Sequence, residues 1–235
     1  MKTLKVNIGC GMSPTRGWEN FDNSISLKLA ARPFLTNLLR GLKFISSSQL
    51  DYIAFCRDNK IRWADATRHI PLQNNSVAVI YSSHMLEHLD RGEARSFLKE
   101  AKRILQPGGT IRLSVPDLAK AVGNYISNKD ADEFMRSMLV CQPNAKSILS
   151  RLRLAIVGNR HHLWMYDKQS LSKLLEECGF ENPKSLSPGD TSIDQPGDLN
   201  LREREDESIY IEATKETVSS PDKILVDLGL QTNGE

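Results

Sequence analysis

Val6-Asn7-Ile8-Gly9-Cys10-Gly11, almost at the start of the chain, decides how the rest is read. An apolar, β-rich run led by Leu4 and Val6 ends there at two glycines spaced one residue apart. Glycine has no Cβ, so the backbone can turn sharply and leave room for a ligand pressed against it. In an open parallel sheet, ligands bind in the crevice beyond the carboxyl ends of the strands. The stretch therefore reads as a first strand followed by a ligand-binding loop.

The flanking residues narrow the ligand. A dinucleotide fingerprint needs a third glycine where Pro14 stands, and proline lacks the N–H that a phosphate-cradling helix start offers. The Gly-Lys-Ser/Thr ending of a P-loop is also missing, and Pro14 disfavours a nicotinamide-dependent oxidoreductase or epimerase. A nucleoside without phosphates is left. The loop resembles motif I of class I S-adenosylmethionine (SAM) methyltransferases, in which an acid and an apolar residue precede G-x-G-x-G. Asn7 stands at the acidic position and Ser13 at the third glycine. The resemblance implies a Rossmann-like α/β fold with Asn7, Gly9, Cys10 and Gly11 on the cofactor. On this reading Asn7→Asp is expected to preserve SAM binding, and Gly9→Val to abolish it by filling the ligand's space.

Composition agrees with one α/β domain. A chain of 235 residues can bury a substantial core, and a net charge of +2 argues against a generally basic nucleic-acid binder. Cys10, Cys56, Cys141 and Cys178 are scattered, with no C-x-x-C pair for a zinc knuckle. Gly9 to Ser13 interrupts the N-terminal run before a secretory core accumulates, and no stretch approaches the ~20 apolar residues of a membrane span. A cytoplasmic protein is the expectation.

Along the chain, Trp18 to Asn23 reads as a second strand, and the short distance from the glycine loop leaves only a vestigial helix between. Asp22 at its end can accept both ribose hydroxyls, or simply cap a turn. From about 24 to 60 the chain is basic, apolar and partly helical, with no acid between Asp22 and Asp51. This insertion suits a lid, a membrane-surface element or an amphipathic cover for the core. Ile61 to Ala64 reads as a third strand delivering Asp65 and Ala66 to a nucleobase edge. Val77 to Tyr81 is a buried central strand leading to Ser82, Ser83 and His84.

Asp65 to Leu89, then Phe97-Leu98-Lys99-Glu100-Ala101-Lys102-Arg103-Ile104-Leu105-Gln106-Pro107-Gly108-Gly109, resembles the type 11 group of class I SAM methyltransferases. That group pairs an acid, an LP-x-x-x-S strand, an LEH segment, an amphipathic helix and a PGG turn. Leu98, Ala101, Ile104 and Leu105 form one helical face, with Lys99 and Arg103 expected on the other. Gly108-Gly109 is expected to end the helix before a strand over Thr110 to Val115. Pro116-Asp117 then closes that strand at the edge already holding Gly11, Asp22, Asp65 and Ser83. Farther on, Asp167 is expected to cap a helix stopped at Cys178-Gly179-Phe180, with strands at Pro183 to Ser187 and Ser208 to Ala213. The implied architecture is a seven-stranded, mostly parallel sheet with an antiparallel seventh strand and helices on both faces. Residues 1–215 form this domain, a second basic insertion covers about 136–162, and 216–235 form a C-terminal tail.

Methyl transfer needs chiefly in-line alignment of a nucleophile with the S–CH3 bond. An oxygen acceptor also needs a base, and His84, His88, His161 and His162 are the candidates, since imidazole titrates near neutral pH. His84-x-x-Glu87-His88 is similar to the E-x-x-E-H element of some metal-dependent O-methyltransferases. With His84 and His88 taken as four apart on one helical face, the three residues form a metal set set against the main expectation of no metal. The two basic clusters suggest an anionic or saccharide-type acceptor, or peripheral membrane contact, and equally a solvated helix face. The N/D-P-P-aromatic motif of nucleic-acid amino-methylating enzymes is absent after the fourth strand. A catalytically silent SAM-binding partner protein is the alternative that Asn7 and Ser13 motivate.

Overall fold

The computed structural model describes residues 3–42, 44–139 and 161–217. Seven strands form one sheet in the order β3-β2-β1-β4-β5-β7-β6. They are β1 (Lys5–Ile8), β2 (Glu19–Asp22), β3 (Ile61–Trp63), β4 (Val77–Ser83), β5 (Leu105–Pro116), β6 (Phe180–Leu186) and β7 (Ser208–Lys215). The first five run parallel, while β7 is antiparallel to both β5 and β6. The chain steps outward from β1 to β2 and β3, then returns to β4 on the other side of β1. The carboxyl ends of β1 and β4 therefore flank the topological switch point, where such sheets open a crevice.

Among the described residues the helices are α1 (Ile25–Ala30), α2 (Pro33–Gly41), α3 (Ser47–Asp58), α4 (Arg91–Ile104), α5 (Leu118–Asn128), α6 (Ala131–Met138) and α7 (Lys168–Glu177). Alternation along the strands sends Val6, Ile8, Ile80, Ile111, Leu113 and Val115 into the main core with Phe97, Leu98 and Ala101 of α4 and Leu171, Leu174 and Leu175 of α7. Asp90 and Asp167 cap α4 and α7 through capping boxes, and Gly179, at φ +80°, follows the end of α7 as expected. Residues 24–60 fold into α1, α2 and α3 around a small core of Leu29, Ile45 and Ile53. Most of the second basic insertion (residues 140–160) and the apolar cluster of the C-terminal tail lie outside the described residues.

Two local expectations change. Helix α4 already ends at Ile104, with Leu105 extended as its cap, so Gly108-Gly109 does not stop it. The glycines instead lie within β5, where pairing jumps from Val77↔Leu105 to Val79↔Thr110. A Cβ on Gly109 would sit 2.9 Å from the Gln106 carbonyl oxygen and 3.0 Å from that of Ala78, so this bulge admits only glycine. Arg103 does not project freely from α4. Its guanidinium binds Glu100 and the carbonyls of Ile70 (2.9 Å) and Leu72 (3.0 Å), fastening the turn before β4. Lys99 is exposed, as expected.

The connection from β1 to β2 contains no helix, which leaves one face of β4 and β5 without a helical cover. The loop between β6 and β7 supplies it. Ile193 and Leu199 from this loop pack on Val79 and Tyr81, whose side chains face away from the main core. A polar clamp holds the loop down. The fully buried Arg112 pairs with Glu212 at 2.6 Å and donates to the Asp190 carbonyl at 2.8 Å, while Glu212 accepts from Thr191 Oγ1, Ser192 N and Ser192 Oγ. Burial alone would raise the Glu212 carboxyl, but the Ser192, Thr191 and Arg112 hydrogen bonds hold it below the usual range.

Candidate functional site: a cofactor crevice beside a buried histidine–glutamate cluster

At the end of β1 the chain turns through Gly9 (φ +71°) and Gly11 (φ +50°), a conformation that L side chains rarely adopt. The two glycines do different work. A Cβ on Gly9 would meet Met85 Cγ at 2.6 Å and Met85 Cβ at 2.8 Å, whereas a Cβ on Gly11 would project into open space. Gly9 thus makes room for Met85 from the segment after β4, and Gly11 borders the free space of the crevice. The reason first given for Gly9→Val changes accordingly: valine would displace Met85 rather than fill the ligand's volume.

Asp22 ends β2 against this loop. Its Oδ2 accepts from Gly11 N at 3.0 Å and its Oδ1 from Ser24 N at 2.7 Å, so the carboxylate is fixed by two backbone donors. Each oxygen keeps acceptor capacity for a further hydroxyl donor. Asp65, next along the edge, accepts from Thr67 N (3.1 Å) and Thr67 Oγ1 (2.7 Å), with Arg68 Nε 3.4 Å from its other oxygen. Ala66 beside it is buried. Cys10 is buried as well, and burial, followed by the charge of Asp22, pushes its thiol far up, which removes it as a nucleophile.

Asn7, 2% exposed, is anchored within the protein. Its Nδ2 donates to the Ser13 carbonyl (3.1 Å) and to Thr15 Oγ1 (3.0 Å), tying the outgoing loop back to β1. An aspartate there would set a carboxylate oxygen against the Ser13 carbonyl oxygen. The expectation that Asn7→Asp preserves SAM binding concerns the cofactor alone; for the fold, the position needs a donor.

Beyond β4, His84 adopts φ +48° and a 3-10 turn covers Leu86–His88. His84 and His88 consequently do not share one face of a helix. His84 Nε2 lies 2.9 Å from Ser208 Oγ at the start of β7, and Arg204 Nη1 lies 3.3 Å from His84 Nδ1. Glu87 Oε1 is also 3.2 Å from that Nδ1. One nitrogen cannot both accept from an arginine and donate to a carboxylate. Arginine has no lone pair to offer, so Nδ1 accepts and Nε2–H donates to Ser208. This assignment agrees with both Glu87 oxygens lacking a hydrogen-bond partner.

The segment after residue 160 completes the neighbourhood. Leu163 N and Trp164 N donate to the Glu87 carbonyl at 2.7 and 3.2 Å, laying this segment along the 3-10 turn. His88 Nδ1 bonds the His161 carbonyl at 3.0 Å, and the His88 and His162 rings meet edge-to-face at 5.2 Å. His161 turns outward, with Nδ1 3.3 Å from the Leu139 carbonyl. Among the described residues, the Glu87 side chain is 1% exposed with neither oxygen hydrogen-bonded, and His162 Nδ1, Arg91 Nη1 and the Tyr166 hydroxyl are buried without partners. Burial pushes the His162 imidazole down, opposed by the charge of Glu87. Ser82, Ser83 and Ser114 add buried, unpartnered hydroxyls at the ends of β4 and β5. The structure thus gathers His84, Glu87, His88 and His162 and leaves His161 at the rim. Arg91, Tyr166, Arg204 and Ser208 escaped the sequence reading, because nothing local marks a residue made important by a partner scores of positions away.

Comparison with known proteins gives this geometry its context. A family model described as a methyltransferase domain matches residues 45–113, the segment from α3 to the middle of β5. The match begins after the glycine loop. No curated protein matches the chain. Among solved structures, a SAM-dependent methyltransferase from Methanosarcina mazei has a TM-score of 0.52 at 12% identity, covering 93% of this chain and 95% of that one. A structure from Haloferax volcanii, solved as a complex with the Trm112 methyltransferase activator, has a TM-score of 0.50 at 14% identity, covering 93% and 84%. At such identities the likeness speaks for the fold. With the methyltransferase-domain match over its central segment and this sheet around it, the chain has the fold of class I SAM-dependent methyltransferases, and residues 45–113 are similar to the type 11 group, a likeness that implies SAM as methyl donor.

Proposed function

We propose that the enzyme O-methylates a small, anionic, saccharide-type acceptor. The observation that carries this reading is the buried Glu87–His88–His162 cluster beside the crevice, its first member four residues beyond Ser83. In this reading SAM lies along Gly9, Cys10 and Gly11, its ribose on Asp22 and its adenine beside Asp65 and Ala66. The acceptor oxygen approaches from the side of Ser83 and His84. An O–CH3 bond forms as the S–CH3 bond breaks, leaving S-adenosylhomocysteine. The hydroxyl proton passes to the cluster. His84 has both ring nitrogens engaged, and His161 is turned toward Leu139. His88, with Nδ1 on the His161 carbonyl and Nε2 left as an acceptor, is the better proton acceptor of the set.

An anionic acceptor is supported by the cations around the opening. Arg204 reaches His84, Arg91 lies 4.9 Å over the Trp164 ring, and residues 24–50 contribute Lys28, Arg32 and Arg40 without a single acid. Among the described residues no helix is long and apolar enough to cross a membrane. The test is methyl transfer from radiolabelled SAM to sugar phosphates, nucleotide sugars, lipid-linked saccharides and small phenols, repeated across salt concentrations. Transfer to a charged saccharide, falling as salt rises, is expected. Transfer confined to uncharged phenols, or indifferent to salt, would overturn the acceptor assignment while leaving the cofactor untouched.

A further inference from the structure

We propose that Glu87, His88 and His162 form a binding site for one divalent first-row transition ion, of which zinc is the simplest example. Each residue offers one ligand atom, and these atoms all lie within 4.8 Å of one another. Ligands held at ~2.0–2.1 Å around a tetrahedral ion stand roughly 3.4 Å apart, so small side-chain adjustments close the set. The sequence grouping of His84, Glu87 and His88 is thereby replaced: His84 is committed to Arg204 and Ser208, and His162 takes its place from 74 positions beyond His88.

Two observations independent of that proximity point to an ion. Glu87 has a side chain 1% exposed with both oxygens unpartnered, and His162, 7% exposed, leaves Nδ1 unpartnered. A buried carboxylate without donors is strongly disfavoured unless a cation completes it. Neither neighbouring cationic group serves: His84 Nδ1, 3.2 Å from Glu87 Oε1, accepts from Arg204, and Arg91 lies over Trp164 with no hydrogen bond to Glu87. Second, His88 is already oriented as a metal ligand is. Its Nδ1–H donates to the His161 carbonyl, which fixes the tautomer with the Nε2 lone pair free. Two imidazoles with one carboxylate favour zinc, cobalt, manganese or iron(II) over magnesium or calcium, which prefer all-oxygen shells. Three protein ligands also leave a coordination position open. The ion and the proposed proton acceptance share one lone pair: with the ion bound His88 Nε2 is a ligand, and it takes the acceptor's proton only in the ion-free chain.

The experiment uses the full chain, stripped with chelator and titrated with Zn2+ and with Co2+, followed by calorimetry, the cobalt absorption spectrum and imidazole NMR signals. One ion per chain is expected, with the His88 and His162 ring signals shifting and that of the exposed His69 unmoved. Glu87→Gln and His162→Asn should each weaken binding by at least about 10- to 100-fold, the range seen when even outer-shell partners are lost. His69→Gln should leave it unchanged. Failure of the folded chain to bind either ion, or unaltered binding in Glu87→Gln and His162→Asn, would overturn the site. Should those variants fail to fold, the wild-type protein decides alone. Ring shifts confined to His88 and His162 uphold the site, and shifts elsewhere reject it.

Discussion

Replacing Asn7 by aspartate changes one atom at the first strand of the sheet, and the structure assigns that atom a definite cost. Nδ2 donates two hydrogen bonds, to the Ser13 carbonyl and to Thr15 Oγ1, at a residue 2% exposed. Thr15 can rotate its hydroxyl to donate to a carboxylate, but the Ser13 carbonyl can only accept. The substitution therefore removes one bond worth about 1 kcal/mol net and leaves a carbonyl unsatisfied against a like partial charge, adding about 1–3 kcal/mol. A total of about 2–4 kcal/mol corresponds to a fall in Tm of about 4–16 °C for a domain of this size. The pH dependence carries a signature. Repulsion raises the folded-state pKa of the introduced carboxyl above its unfolded value near ~3.9, so the deficit against the parent protein is complete above about pH 7. It shrinks toward about pH 5, where a protonated carboxyl can donate to Ser13. Thermal unfolding of both proteins from pH 5 to 8 measures this directly. A variant within about 1 °C of the parent at pH 7.5, or a deficit that does not change with pH, would refute the anchoring role of Asn7.

The remaining predictions concern the crevice, the clamp and the core. Gly9→Ala should lower Tm by displacing Met85, at about 1–3 kcal/mol of overpacking plus the strain of φ +71°. Gly11→Ala, facing open space at φ +50°, should cost only about 1–2 kcal/mol of strain yet weaken SAM at least tenfold by calorimetry. Full affinity in the Gly11 variant would remove the loop from the cofactor site. Asp22→Asn should weaken SAM by roughly tenfold or more through loss of a charged acceptor to the ribose; an unchanged Kd would reassign Asp22 to turn-capping alone. Because the Glu212 carboxyl is held below its usual range, its stabilising effect is present above the unfolded value of ~4.3 and is lost as pH falls through the folded value. Hydrogen exchange should therefore show the 187–207 loop opening on acidification, and Glu212→Gln should flatten that response. Phe97→Ala, at a fully buried position of α4, should cost about 3–5 kcal/mol in denaturant unfolding.

Much of the fold was legible because its signals are local. Alternation and β-branching along Val77 to Tyr81, the apolar face of α4, and the caps at Asp167 and Gly179 each follow from residues within one turn or strand. The Gly108-Gly109 pair was misread for the converse reason. Glycine signals an unusual backbone without saying whether a helix stop or a bulge requires it, and the carbonyls of Gln106 and Ala78 decide that question. The residues proposed for the crevice were likewise placed by counting strand ends along the sequence.

By itself, then, the sequence determined which segments become strands and helices, which rests on short-range periodicity and loop chemistry, while the resemblance of its motifs implied the cofactor class. Tertiary structure alone decided what each polar group faces. It turned Asn7 from a defective acid into a loop anchor, put Met85 over Gly9, and made Arg112 and Glu212 hold down a loop in the place of a helix. It also engaged His84 with Arg204 and Ser208, off any helical face shared with His88, and brought His162 to Glu87 and His88. The physical reason is common to all of these: hydrogen bonding and ligation act over about 3 Å in space, whereas the residues involved lie up to 100 or more positions apart along the chain.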